Sequence, residues 1–142
     1  RDGAALGRAF MKPISILMTW FFLLSVGATQ ATDSAVARAH MRNGDYAAAY
    51  REYRGLAEAG YPAYQNQVAV MHAQGLGVAR DEILAHVWYT LSAAQGDQDA
   101  MRAKAELEQV LNDQQLARSR ILAESYAADY LAPYRPSGWS LD

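Results

Sequence analysis

Three histidines, His40, His72 and His86, are the groups in this chain best suited to bind a metal or move a proton near neutral pH. His40 and His72 share one position of an internal repeat, so neighbouring units could bring them near each other. A zinc site needs three or four ligands at fixed spacing, and no His-x-x-x-His or His-Glu pair is present. No metal site is expected. Ser92 falls in mid-helix without a G-x-S-x-G context, which gives no nucleophile. Glu106 and Glu108 point to opposite sides of a helical turn and cannot act as a pair. The glycines of Gly75-Leu76-Gly77-Val78 lack the lysine and the preceding strand of a phosphate loop. Trp88 and Tyr89 could stack on a ligand, but Tyr89 shares helical spacing with Ala85 and Ala93 and reads as core. The residues therefore imply no catalytic group and no cofactor.

The elements that hold these residues are helical. Alanine is abundant, whereas Val, Ile and Thr are sparse. Half of the 142 residues are hydrophobic, enough for one domain with a modest core. A formal charge of −2 and scattered basic residues exclude general nucleic-acid binding. The absence of cysteine excludes disulfides, thiolate metal sites and cysteine nucleophiles.

An export signal is expected over residues 11–31. Met11 and Lys12 precede the apolar run Ile14 to Val26, and small residues follow for cleavage after Ala31 or Ala28. The run is short for a membrane span. Residues 1–10 read as an upstream extension of the frame, and residues 135–142 as a loose tail after Pro133. The remaining span, 32–134, is the helical repeat domain. It is mildly acidic, and a cysteine-free exported chain of this kind suits a bacterial periplasm or secretion. No membrane contact is expected after cleavage.

The repeat is visible at a constant offset of 36. Asp45, Ala49, Tyr53, Ala57 and Gly60 recur as Asp81, Ala85, Tyr89, Ala93 and Gly96. Steps of three and four keep the copied residues on one helical face. The aspartates cap helices, the alanines admit a close neighbour, the tyrosines fill the space between pairs, and the glycines stop the helix. A third copy, Asp113, Ala117, Ile121 and Ser125, follows at an offset of 32, and Ala37, Ala69 and Ala105 share a position in the first helices. Helices are predicted over 33–42, 46–59, 62–74, 82–95, 98–111 and 114–131. Asn43-Gly44 closes the first, and Pro62 suits the first turn of the third. One helix pair cannot bury its apolar face alone, so about three pairs must stack. The fold class is all-α, a short solenoid of about three antiparallel helix pairs.

The middle unit resembles a Sel-one-like repeat, a relative of the tetratricopeptide repeat. The resemblance is carried by V-A-V-M-H-A-Q-G-L-G-V, then Asp81, then A-H-V-W-Y-T-L-S-A-A-Q-G, and covers roughly Ala35 to Tyr134. His72 and Asn66 stand where tyrosines are usual, and His86 stands in a commonly apolar slot. The resemblance implies a right-handed solenoid that binds a protein or peptide, with no cofactor and no common catalytic residue. In such stacks the first helix of each pair lines the concave face. Carried over, this places Ser34, Arg38, Met41 and Arg42 in the groove, then Asn66, Val70, Ala73 and Gln74, then Arg102, Glu106 and Gln109. The expected partner-binding set is Arg38, Met41, Arg42, Asn66, Val70, Gln74, Arg102 and Glu106. An exported adaptor or scaffold is the leading reading. The alternatives are a cell-envelope enzyme using His72, His86 and Asp81, or a structural protein tethered by an uncleaved Ile14 to Val26.

Overall fold

The structure, a computed structural model, describes residues 33–131. The export signal, the upstream extension and the tail lie outside the described residues. Six helices and no strand occur within them. They are α1 (33–43), α2 (Tyr46–Glu58), α3 (Pro62–Gln74), α4 (Glu82–Ala94), α5 (Gln98–Glu108) and α6 (Asp113–Tyr130). Turns of two to seven residues join them, so successive helices run antiparallel. Packing links α2 to α3, α3 to α4, and α4 to both α5 and α6.

Local sequence sets the helix starts. Asp45, Asp81 and Asp97 accept hydrogen bonds from the backbone N–H groups of Ala48, Leu84 and Ala100 at 3.3, 2.9 and 3.0 Å. Each satisfies a donor that the first turn leaves free. Asn112 and Gln115 form a reciprocal capping box at the head of α6. Pro62 opens α3 without a side-chain cap, because its missing N–H needs no partner there.

The copied face is the core. Ala49, Ala57 and Ala85 are fully buried, Tyr53 and Tyr89 nearly so, and Ala93 is half-buried. Burial raises the pKa of both tyrosine hydroxyls. Polar groups pin the pairs together. Gln65, buried on α3, donates to the Ala57 carbonyl at 3.1 Å and accepts from Gln95 at 2.7 Å. Ser92 donates to the Pro62 carbonyl at 2.8 Å, a bond between α4 and the start of α3. Trp88 packs against α6, stacked on Tyr130 and edge-on to Tyr126.

The third unit departs from the sequence alignment. Ala117, Ile121 and Ser125 face solvent, and α6 buries Ser119, Ala123 and Ala127 instead. Both rows have four-residue spacing, and they differ by two positions, which is about 200° around a helix. Partners on α4 select the buried row: Ser119 meets His86, and the small Ala123 and Ala127 admit α6 to the face beside Trp88. Ala105 is likewise exposed. Ala100 is the buried contact of α5, with Ala103 and Leu107 half-buried beside it.

The turn between α3 and α4 carries the tightest steric constraint. Gly75 and Gly77 both have φ of +70°, and Leu76 and Val78 tuck against the core. A Cβ on Gly77 would overlap the Tyr46 carbonyl and the Ala47 nitrogen at the start of α2. Gly96, with φ of +96°, has open space around its missing Cβ. Gly77→Ala is therefore expected to cost about 3 kcal/mol or more, from backbone conformation plus overlap. Gly96→Ala should cost only about 1–2 kcal/mol. Urea unfolding of both variants checks this ranking, and equal losses would contradict the close approach of the turn to α2.

Candidate functional site

Two regions hold the residues singled out by the sequence, an outer surface and a polar cleft. The outer surface is built on alternate helices. Arg38 and Arg42 on α1, Gln74 on α3, and Arg102 and Glu106 on α5 are exposed. Met41, Asn66 and Val70 are half-buried, and Met41 and Val70 lean on the core. Among the described residues, no hydrogen bond or ion pair joins any two of these eight. Arg102 pairs with Asp99 one turn back. Ser34, expected in the groove, is buried. It lies on the inner side of α1 near Ala37, one turn along the helix.

The cleft lies between α4, α5 and α6. It measures about 440 Å³ and is lined by His86, Thr90, Lys104, Glu108, Arg120, Ala123 and Glu124. That volume falls within the range of small-molecule sites. His86, 3% exposed, forms its floor. Its Nδ1 lies 2.7 Å from Ser119 Oγ, and its Nε2 lies 3.4 Å from Glu108 Oε1. An ionised carboxylate can only accept, so Nε2 carries the proton and Ser119 donates to Nδ1. The Thr90 hydroxyl donates to the His86 carbonyl at 2.7 Å. Lys104 holds Glu108 from the same helix at 3.6 Å.

A serine donating to a histidine that is oriented by a carboxylate has the connectivity of a hydrolytic relay. Here the serine is sealed: Ser119 is fully buried in mid-helix and is not part of the cleft lining. The bonds serve instead to let a titratable ring occupy a slot inside the helix stack. Sequence reasoning missed Ser119 and Glu108 as partners of His86. The available signal was the polar residue in an apolar slot, which requires a bonding partner.

His72, also 3% exposed, is placed elsewhere. Its Nε2 lies 3.1 Å from the Tyr50 hydroxyl, with the two rings edge to face. Asp81 caps α4 with its carboxylate, and its backbone N–H donates to the His72 carbonyl at 3.0 Å. His86 faces α5 and α6 while His72 faces α2, so His72, His86 and Asp81 do not assemble into one site. His40 pairs with Asp45 at 3.3 Å at the edge of the next turn. Among the described residues, no group of three or more His, Cys, Asp or Glu side chains could hold a metal ion.

The fold is similar to that of a protective antigen present in uropathogenic Escherichia coli strains, whose crystal structure displays an SLR fold. The match has a TM-score of 0.68 at 23% sequence identity and covers 84% of this chain but 28% of that protein. No family model and no curated protein matches the sequence. The chain thus has the SLR fold, that of the Sel-one-like repeat.

Both buried histidines make stability depend on pH. Burial lowers the pKa of His86 below its ordinary value; Glu108 opposes the shift, and Lys104 and Arg120 add to it. Burial likewise lowers that of His72, opposed by Asp81 and aided by Arg54. The unfolded chain then binds protons first, so stability is full above about pH 6.5 and falls as pH drops below that value. Urea midpoints measured between about pH 5 and 7.5 should decline toward acid. His86→Gln should flatten the slope even if it lowers the plateau, and an unchanged slope would contradict the role given to burial.

Proposed function

We propose that this chain is an exported adaptor that holds a protein or peptide partner across the surface formed by α1, α3 and α5. The observation that supports this reading most is the division of the polar residues. Those inside the stack are bonded to one another, whereas Arg38, Arg42, Gln74, Arg102 and Glu106 face outward on alternate helices. Repeat folds of this type usually mediate protein–protein interaction. Exposed arginines can grip a partner carboxylate through two parallel bonds, and Gln74 and Asn66 can bond to an extended backbone. Met41 and Val70 add apolar contact between them.

Export rests on the apolar run Ile14 to Val26 and the small residues after it. Within the described residues, no helix is long and apolar enough to cross a membrane.

Capture from a periplasmic extract tests the adaptor reading. The unaltered chain should retain a defined partner. A variant with Arg38→Ala and Arg42→Ala should lose it by about tenfold or more, the equivalent of one charge-assisted bond. Arg51→Ala, on the exposed side of α2, should not change capture. Equal capture by all three proteins would reject this surface.

A further inference from the structure

The outward face of α6 is the feature that neither the core nor the proposed adaptor surface uses. Ile121 is 69% exposed at its centre. Helical geometry places Ala117, Ser125 and Ala128 around it, opposite the buried row Ser119, Ala123 and Ala127. A solenoid end that meets water needs a polar outer face. This one keeps a large aliphatic side chain in the middle.

The charges on α6 are segregated along its length. Arg118 and Arg120 occupy the N-terminal side of Ile121, and Glu124 and Asp129 the C-terminal side. All four are exposed. Asp113, the remaining charge, sits in the first turn, where it complements the helix dipole. A second α6 laid parallel would set arginine against arginine. Laid antiparallel, with Ile121 against Ile121, it sets the basic half of one helix against the acidic half of the other.

We infer that this face docks a second copy of the chain, with the two α6 helices antiparallel about a two-fold axis at Ile121. The interface is isologous, as closed dimers require. Its partner chemistry is an aliphatic centre flanked by complementary charge, and nothing else on the described surface repeats that pattern with its own mirror order. One helix face is small beside a standard interface, so the pair forms and separates readily. The charge contribution weakens with salt.

The natural chain has no cysteine, so a single introduced thiol reports the geometry. Full-length chain carrying Ile121→Cys should form a covalent dimer under mild oxidation, because residues on the axis lie within disulfide reach. Ala128→Cys should not, because its two copies would lie about 20 Å apart. Arg51→Cys on α2 sets the background of random collision. In the Ile121→Cys chain, Arg118→Glu with Arg120→Glu should abolish self-linking, as should Glu124→Arg with Asp129→Arg. Mixing the two charge variants should restore linking between them. Circular dichroism confirms that each variant is folded.

Linking at both 121 and 128 would mean a parallel pair and overturn the inference. Linking at neither position would overturn it too, since the face would then be covered by residues 132–142, by another protein or by nothing. Linking at 121 that ignores both charge reversals would remove the complementarity on which the inference stands. The adaptor surface on α1, α3 and α5 is untouched by any of these outcomes.

Discussion

The burial of α4 on every side is the constraint from which the rest of the structure follows. Residues Ala85 to Ser92 are buried without a break, because α3, α5 and α6 all pack against this one helix. A helix with no wet side must bond each polar group it carries. Three of those eight residues are polar, and each has found a partner. His86 meets Ser119 on α6, Thr90 turns back to its own helix, and Ser92 reaches the start of α3. These bonds fix the height and rotation of the neighbouring helices relative to α4. The orientation of α6 in particular is set by Ser119 and by Trp88 between Tyr126 and Tyr130.

Alanine makes such enclosure possible. Ala49, Ala57, Ala69, Ala85, Ala100, Ala123 and Ala127 occupy contact positions and leave almost no exposed surface. Small contacts bring helix axes close, and the tyrosines and Trp88 fill the spaces left where the helices diverge. The arrangement weakens at α5, which has one fully buried alanine and charged residues facing α6. The cleft beneath Lys104 and Glu108 follows from that lack of apolar side chains. Its floor carries His86 because the ring can be desolvated there only while Ser119 and Glu108 bond both of its nitrogens.

Most of the fold was legible because its signals are local. The aspartates at 45 and 81, the glycines at 60 and 96 and the proline at 62 each act within a turn or two of chain, and the helices end within a few residues of where these signals put them. The copied row at an offset of 36 was also legible, since two matching faces record one packing surface. The third unit was not. Ala117-Ile121-Ser125 and Ser119-Ala123-Ala127 follow the same spacing, and composition favours the row with the isoleucine. Only contacts from α4, distant in sequence, decide between them. The partners of His86 were hidden for the same reason: Ser119 lies 33 residues away and belongs to no motif. The proposed partner surface was legible only as a resemblance, and Ser34 shows its limit, because one residue of a helix face can turn inward at the end of a stack.

The titratable groups with shifted pKa values would ordinarily mark a functional site. In this molecule they mark the joints between helices. His72 and Tyr50 join α3 to α2, His86 and Ser119 join α4 to α6, and Tyr53 stacks on Tyr64 between α2 and α3. Each shift has burial as its largest cause, and each group already has a neighbour to bond or stack upon. Chemistry of that kind is committed inward. The groups left to meet another molecule are those whose burial the fold does not require, and they lie on the outer sides of the helices. A stack that closes its polar interior so fully is rigid along its length, and it offers a partner a fixed array of side chains rather than a reacting centre.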